Sequence, residues 1–232
     1  MSAMARHIGI VACSAEGAAL CYRTICAEAP AEMGEECHPE ITLHTHPFSA
    51  YMRRIRAGDW AGVAELMLAS TRVLAGAGAD FALSPDNTIH EAYDLVTAAS
   101  PLPWLHIADV VADEAARRGY RRVGVLGTRF LMAGPVYPTA LGKRSIELLL
   151  PEPRDREWIN TVIFDELVRG VITERTRSGF HDVIERLGAR GAEAAVLGCT
   201  EIPLIVRPDE APLPTLDSTR LLARAAVRAA LG

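Results

Sequence analysis

Short apolar runs alternate with longer segments of mixed polarity along the chain. Runs such as His7–Ala12 and Ala194–Leu197 show little internal alternation of polar and apolar side chains. Runs of this kind are typical of parallel strands that are covered by helices on both faces, and the segments between them have the composition of amphipathic helices. The pattern therefore predicts an α/β fold.

The individual elements follow from the same pattern. The predicted strands are His7–Ala12, Ile41–Leu43, Phe81–Ser84, Trp104–His106, Arg122–Leu126, Ser145–Leu150, Ala194–Leu197 and Thr215–Leu216. The predicted helices are Glu16–Ala29, a segment from the N-cap Asp59 to Ala75, a segment that begins near Thr88, Ala108–Arg118, Arg154–Arg169, Arg175–Leu187 and Ser218–Leu231. Ala31–Pro39 is predicted to be a loop.

The chain also resembles itself at three places. The matching segments are His7–Cys13 (HIGIVAC) with Arg122–Thr128 (RVGVLGT), Gly78–Ile89 (GADFALSPDNTI) with Gly191–Ile202 (GAEAAVLGCTEI), and Ser100–His106 (SPLPWLH) with Ala211–Asp217 (APLPTLD). The offsets of 115, 113 and 111 residues are nearly constant. Similarity among unrelated short strands is the alternative explanation. We interpret the chain as two related α/β lobes, with approximate bounds of 1–104 plus 213–232 for the first and 105–212 for the second.

Composition and charge narrow the classes of function. The 232 residues carry 24 basic and 29 acidic side chains, and no basic run is long enough to neutralise a stretch of nucleic-acid phosphates, so no nucleic-acid partner is expected. No apolar stretch is long enough to span a membrane, and the N-terminal residues lack the apolar core of a signal peptide. We therefore expect a cytoplasmic protein without a membrane partner.

The metal-binding and cofactor-binding residue types are sparse. The five cysteines include no Cys-x-x-Cys pair, which disfavours a disulfide framework and a structural zinc site. His44 and His46 alone are too few ligands for a metal. Lys143 is the only lysine beside 23 arginines, so a pyridoxal-phosphate enzyme would have to use it for its Schiff base. We expect neither a metal nor a cofactor.

The repeat places four reactive or polar side chains at the carboxyl ends of predicted strands, where ligands collect in parallel sheets. These residues are Cys13, Asp86, Thr128 and Cys199. If the lobes are related by a pseudo-twofold axis and their strand ends face each other, Asp86 and Cys199 approach one ligand from opposite sides. Two proton-transfer groups on opposite faces of one carbon are what stereoinversion requires.

Four segments resemble the signature segments of the cofactor-independent aspartate/glutamate racemase superfamily. They are Pro85–His90 (PDNTIH), Leu105–Asp109 (LHIAD), Leu126–Met132 (LGTRFLM) and Leu197–Leu204 (LGCTEIPL). The resemblance covers nearly the whole chain and is most specific at the Gly-Cys-Thr-Glu segment. It implies two similar α/β domains with the active site in the cleft between them, a small amino acid or dicarboxylate as ligand, no cofactor, and assembly as a homodimer.

The resemblance also implies roles for individual residues. Cys199 matches the catalytic cysteine, and a helix that begins after it would favour the thiolate. The candidate substrate contacts are Cys13, Ser14, Arg53, Asn87, Thr88, Thr128, Thr200 and Glu201, with Arg129 as a second candidate cation for a carboxylate. For each there is an ordinary structural alternative: a buried core cysteine, a helix cap or a surface arginine.

One departure from the family pattern leaves the reaction open. Asp86 stands where the family has a cysteine or, in some branches, a threonine. A protonated Asp86 opposite a Cys199 thiolate would support racemisation or epimerisation of an acidic amino acid. If Asp86 instead binds a cation or caps a helix, Cys199 alone would suit a decarboxylase or a cis–trans isomerase of a small dicarboxylate. A non-catalytic binding protein is the third possibility.

Overall fold

The computed structural model describes residues 5–232 and contains two four-stranded parallel sheets. The first sheet has the order β2-β1-β3-β4 and the second has the order β6-β5-β7-β8. The strands are β1 (Ile8–Ala12), β2 (Ile41–Thr45), β3 (Phe81–Leu83), β4 (Trp104–Leu105), β5 (Arg122–Leu126), β6 (Glu147–Leu149), β7 (Ala194–Leu197) and β8 (Thr215–Asp217). The α/β prediction is confirmed, and the two sheets share one topology.

Helices connect the strands throughout. They are α1 (Ala15–Glu28), α2 (Pro30–Met33), α3 (Phe48–Ala57), α4 (Trp60–Gly76), α5 (Tyr93–Thr97), α6 (Ile107–Arg117), α7 (Arg129–Ala133), α8 (Val136–Gly142), α9 (Pro153–Asp165), α10 (Glu174–Ala189) and α11 (Ser218–Leu231). Three short 3₁₀ helices span Thr88–Ala92, Leu167–Arg169 and Ile202–Leu204. No helix among the described residues is both long and apolar enough to cross a membrane.

The described chain divides into two compact units. The first contains the residues up to Val110 together with Thr219–Gly232, and the second is Val111–Ser218. The units change after Val110 and after Ser218. The lobe boundaries expected from the sequence, after residues 104 and 212, each lie six residues before the corresponding change. Those sequence-based boundaries stay a prediction.

Each unit buries an apolar core of its own. In the first unit, strands β1 and β3 pack against helices α1 and α11 through buried residues such as Ile10, Ile25 and Leu222. In the second unit, β5 and β7 pack against α9 and α10 through residues such as Ile163 and Phe180. Because helices cover the central strands, their apolar runs show no alternation, and this is why the sequence predicts them well.

Strand register brings particular loops together within each unit. Ile10 on β1 pairs with Leu83 on β3, and the residues three positions beyond this pair are Cys13 and Asp86. In the second sheet, Leu126 on β5 pairs with Leu197 on β7. Parallel strands end at the same edge of a sheet, so each register pair places two candidate loops side by side.

Several element predictions need correction. The short helix α2 begins at Pro30 and continues into the segment Ala31–Pro39 that the sequence marks as a loop, and Gly34, with φ of 102°, ends it. The helix predicted to run to Arg169 ends at Asp165 and is followed by a 3₁₀ turn. The segment after Thr88 is 3₁₀ before it becomes α-helical in α5. Helices α3, α7 and α8 are absent from the sequence prediction. Helices α7 and α8, with 5 and 7 residues, are too short to show a helical period.

Candidate active site

In the first unit, the Asp86 carboxylate is held by the turn that follows β1. Its Oδ2 atom accepts hydrogen bonds from the backbone N–H groups of Cys13, at 3.2 Å, and of Ser14, at 3.1 Å. Ser14 is also the N-cap of α1, and its Oγ accepts from the N–H of Gly17 at 3.3 Å. Donors aimed at one carboxylate oxygen stabilise the ionised form of that group. Three sequence candidates therefore meet in one turn, joined through Asp86.

A buried tyrosine lies beneath this turn. Tyr51 on α3 is 0% exposed. Burial, followed by the charges of Cys13 and Asp86, raises its pKa well above the usual range. Its hydroxyl is close to Ser70, but the geometry does not meet that of a hydrogen bond, and the Ser70 Oγ instead bonds to Nδ1 of His44 at 2.9 Å. The Tyr51 hydroxyl is thus a buried polar group beside the candidate site.

The segment after Asp86 is anchored by a histidine. Asn87 is almost fully buried, Thr88 is half-buried, and His90 is buried with its Nε2 atom 3.0 Å from the carbonyl oxygen of Ser84. Burial and the neighbouring His106 lower the pKa of His90 to about 3, so its ring is neutral. The neutral ring donates from Nε2 to the carbonyl, and this contact fixes the loop that carries Asp86.

Aromatic rings complete the support of that loop. The His90 ring packs edge-on against His106 with centroids 4.8 Å apart, and His106 packs edge-on against Tyr93 at 4.5 Å. Nδ1 of His106 accepts a hydrogen bond from the N–H of Asp109 at 3.1 Å. The segments Pro85–His90 and Leu105–Asp109, which the sequence analysis selects separately, are therefore in contact.

In the second unit, Glu201 lies under the candidate thiol. The Sγ–H of Cys199 donates to Oε2 of Glu201 at 2.9 Å, and the hydroxyl of Thr200 donates to the same oxygen at 2.8 Å. Cys199 is half-buried, whereas Thr200 and Glu201 are each 4% exposed. The carboxylate orients the thiol proton and is an acceptor for it. Glu201, a predicted substrate contact, is placed to act through Cys199.

The expected helix after Cys199 is only a single 3₁₀ turn, Ile202–Leu204, with a proline in it. A turn of this length has no α-helical dipole of the kind that favours a thiolate. The electrostatic neighbour of the thiol in this unit is therefore the Glu201 carboxylate rather than a helix N-terminus. This corrects the sequence-based explanation of how Cys199 would be activated.

Two glycines let the strand ends of the second unit approach closely. A Cβ atom on Gly198 would lie 2.6 Å from Cδ2 of Leu131 and 2.9 Å from the carbonyl oxygen of Leu126, and one on Gly127 would lie 2.7 Å from the same Leu131 atom. Thr128 then begins α7 as its N-cap, with Oγ1 accepting from the N–H of Leu131 at 3.3 Å. The glycines therefore set the positions of Thr128 and Cys199.

The candidate cations occupy different surroundings. Arg53 is exposed on α3. Its neighbour Arg54 donates from Nη1 to Oδ2 of Asp59 at 2.6 Å, and the pKa of Asp59 is lowered mainly by the N–H of Gly62 and then by Arg54. Arg54 is thus paired with Asp59 at the start of α4, whereas the substrate-binding role of Arg53 stays a prediction. Arg129 lies on α7, facing a cavity against α9.

Some residues near the site carry no signal in the sequence. Tyr51, Ser70 and His44 come together only because α3 and α4 pack beside the end of β2, and α3 is not predicted. The family-like segments, by contrast, are visible in the sequence as polar residues after apolar runs. Within the described residues, no group of three His, Cys, Asp or Glu side chains is arranged to hold a metal ion.

The two α/β units have sheets of one strand order, and an ionisable side chain, Asp86 or Cys199, follows the third strand of each. Residues 8–226 match the Asp/Glu/hydantoin racemase family. The chain belongs to that family.

Known proteins agree with this assignment. A broad-specificity amino-acid racemase, RacX of Bacillus subtilis (strain 168), is 24% identical over 154 residues, which are 65% of this chain and 64% of RacX. The match thus spans just under two thirds of that relative's length. The crystal structure of a presumed Asp/Glu racemase from Yersinia pestis is 34% identical with a TM-score of 0.90, and covers 98% of this chain and 100% of that one. An aspartate racemase homologue from Pyrococcus horikoshii OT3 is 25% identical with a TM-score of 0.85, and the match covers 98% of this chain and 100% of the homologue.

Proposed function

We propose that the protein is a cofactor-independent racemase or epimerase of an acidic or carboxylate-bearing amino acid. The family and the racemase relatives support the reaction class. The observation that carries the proposal is the placement of Asp86 after β3 and Cys199 after β7, which are equivalent strands of two sheets with the same order. A duplicated fold that holds a different proton-transfer group at each copy of one position suits two-base chemistry.

In the proposed reaction, the Cys199 thiolate removes the α-proton from one face of the substrate. The electron pair of the broken C–H bond stays on the α-carbon and is delocalised into the substrate carboxylate. Protonated Asp86 then gives a proton to the opposite face, which inverts the centre and leaves Asp86 ionised and Cys199 protonated. Hydrogen bonds from Asn87, Thr88 and Thr128 would stabilise the charge that develops on the substrate carboxylate.

The hydrogen bonds of Asp86 support one assignment of its oxygens. Oδ2 accepts from two backbone N–H groups, so it would act as the carbonyl-like oxygen when the group is protonated. Oδ1 is the oxygen proposed to carry the transferable proton. Glu201 has a positioning role in this scheme, because it accepts the proton of the Cys199 thiol and fixes the direction of the Sγ–H bond.

The same hydrogen bonds favour a second candidate function. Two backbone donors stabilise ionised Asp86, and an Asp86 that stays ionised cannot return a proton. Cys199 would then be the only proton-transfer group, and the site would suit a decarboxylase or a cis–trans isomerase of a small dicarboxylate. The two functions differ in the fate of the α-hydrogen and of the configuration.

Incubation with single enantiomers of aspartate and of glutamate in heavy water distinguishes these functions. Racemisation predicts deuterium at the α-carbon together with inversion, whereas the one-cysteine alternative predicts exchange with retention or release of carbon dioxide. Binding that raises the melting temperature without exchange, inversion or release of carbon dioxide would support a binding protein.

Single substitutions test the role proposed for each residue. We expect Cys199→Ala to abolish inversion and to abolish exchange from the enantiomer whose proton the thiolate removes, and Asp86→Asn to abolish inversion while leaving the melting temperature within a few degrees. Glu201→Gln should lower the exchange rate by about 10²-fold and change its pH profile, because the thiol loses its carboxylate partner. Full racemisation by Cys199→Ala would contradict the proposal.

Substrate recognition and assembly complete the proposal. Arg53 would bind the side-chain carboxylate of the substrate, because a bound anion needs a cation partner. Replacement of Arg53 by Ala should raise KM for aspartate more than it lowers kcat. Cys13, Ser14 and Thr200 are proposed to line the same site, and the protein is proposed to form a homodimer.

A further inference from the structure

A cavity of about 510 Å³ lies between α7 and α9 of the second unit. Arg129, Met132 and Ala133 of α7 line one side, and Arg156 and Asn160 of α9 line the other. Neither Cys199, Thr200, Glu201 nor the capping Thr128 is among the lining residues. The cavity is therefore separate from the residues of the proposed reaction in this unit.

The cavity has an excess of positive charge. Arg129 and Arg156 face one acidic lining residue, Glu157, and among the described residues neither arginine forms an ion pair. The Arg129 guanidinium instead packs over the ring of Phe130, with 4.9 Å to the ring centroid. Both guanidinium groups keep donors that a bound anion could use.

A buried donor in the cavity wall has no acceptor. The Nε–H of Arg156 is buried and has no hydrogen-bond partner among the described residues. A buried N–H without an acceptor is costly, and native structures satisfy nearly all such groups. The Nε atom is itself buried, so a ligand in the cavity would be held by the terminal Nη donors of Arg156.

Other polar side chains of the cavity lining also offer hydrogen-bond donors. Oδ1 of Asn160 accepts from the backbone N–H of Arg129 at 3.0 Å, which joins α7 to α9 and leaves the amide NH₂ of Asn160 as a donor. Asn160 lies one helical turn after Arg156, so the two side chains share a face of α9. Thr161 adds a hydroxyl to the lining.

We propose that this α7–α9 cavity is a second ligand site, which binds a small molecule that bears a phosphate group. The guanidinium groups of Arg156 and Arg129 hold the phosphate oxygens through their terminal donors. The volume exceeds that of a bare phosphate, so the remainder of the molecule also fits. Thr128, a proposed substrate contact, is the N-cap of α7. A ligand that contacts α7 in this cavity would therefore affect the position of Thr128.

Titration calorimetry of the full chain with inorganic phosphate, at constant ionic strength maintained with chloride, tests the site. We expect saturable binding with one site per chain, and at least a tenfold loss of affinity in Arg156→Ala. Arg156→Lys should restore part of the affinity, because it keeps the charge but lacks the planar guanidinium group. The matched control is Arg154→Ala, on the same helix but facing a different groove beside Asp155 and Arg186, which should bind as the wild type does.

Two further measurements separate this proposal from the proposed function. Cys199→Ala should bind phosphate as tightly as the wild type, whether or not the protein racemises amino acids. Aspartate should not displace the phosphate. Equal affinities in wild type and Arg156→Ala, an absence of saturable binding, or displacement by aspartate would each overturn the second site, and circular dichroism of each variant checks that it is folded.

Discussion

At the scale of single residues, the neutral His90 ring has a consequence for acid stability. Its pKa is lowered to about 3 in the folded protein by burial and by His106, whereas an unfolded chain would have the ordinary value of 6.5. Below pH 6.5 the unfolded state therefore takes up a proton that the folded state does not. The folded state loses stability as the pH falls from 6.5 towards 3.

Replacement of His90 by Gln tests this linkage. Gln retains a donor for the Ser84 carbonyl but does not titrate. We expect the wild type to lose about 2 kcal/mol more unfolding free energy than His90→Gln between pH 6.5 and pH 4.5, measured by urea denaturation at each pH. The exposed His38→Gln should keep the wild-type pH dependence. Parallel curves for wild type and His90→Gln would show that His90 does not carry the effect.

Tyr51 and Tyr137 form a matched pair, since both are fully buried but differ in their hydroxyl partners. Among residues 5–232, the Tyr51 hydroxyl has no hydrogen-bond partner, whereas that of Tyr137 bonds to Ser218. We expect Tyr51→Phe to raise the unfolding free energy by up to about 1 kcal/mol and Tyr137→Phe to lower it by about 1 kcal/mol. Thermal denaturation of both variants measures the difference, and a loss in Tyr51→Phe equal to that in Tyr137→Phe would contradict this reading.

The sequence predicts the site residues to different degrees. Asp86, Cys199 and the threonines stand out because polar residues directly follow buried apolar runs. The hydrogen bonds between Asp86 and the turn at Cys13 depend on the register of β1 and β3, which no local pattern contains. The position of Tyr51 beside this turn depends on the packing of α3 and α4, so the local sequence does not predict it either.

At the scale of elements, the close approach of β5 and β7 depends on Gly198. An alanine Cβ there would lie 2.9 Å from a backbone oxygen, which a side-chain rotation cannot relieve. We expect Gly198→Ala to lower the unfolding free energy by about 2 kcal/mol and to lower the exchange rate, because Cys199 is the next residue. The control is Gly142→Ala in α8, where a Cβ would meet nothing within 4 Å. Similar melting temperatures for the two variants would exclude this packing argument.

The central strands were predictable because each is buried on both faces and reads as a continuous apolar run. Helix α3 was not, because Pro47 and the histidines before it mark a turn in the sequence and its buried face consists of only Tyr51, Met52 and Ile55. Gly134 and Pro135 separate helix α7 from helix α8, and neither helix is long enough to show a helical period. Their positions follow from packing in the second unit.

At the scale of the whole molecule, we interpret the nearly constant offset in the sequence and the two sheets of one order as an internal duplication. The copies have diverged where the chemistry is proposed, with a carboxylic acid in one and a thiol in the other. A pair of unlike groups makes the two directions of proton transfer unequal.

Asp86→Cys tests that inequality. The variant carries a thiol in both copies, so we expect its rates of deuterium incorporation from the L- and D-enantiomers to be closer to each other than those of the wild type. NMR of the α-hydrogen gives both rates from separate incubations. Asp86→Ser is a control without a comparable proton-transfer group and should lose inversion. An unchanged ratio of rates in Asp86→Cys would show that Asp86 does not determine the direction.

Two of the hydrogen bonds to Asp86 come from the main-chain N–H groups of Cys13 and Ser14. Nineteen of the twenty common amino acids supply such a group, so this turn can change its side chains, and with them the surface offered to a ligand, without losing these two donors. Proline alone would remove a donor. A lineage that explores new substrates through these two positions would therefore keep its acid in place.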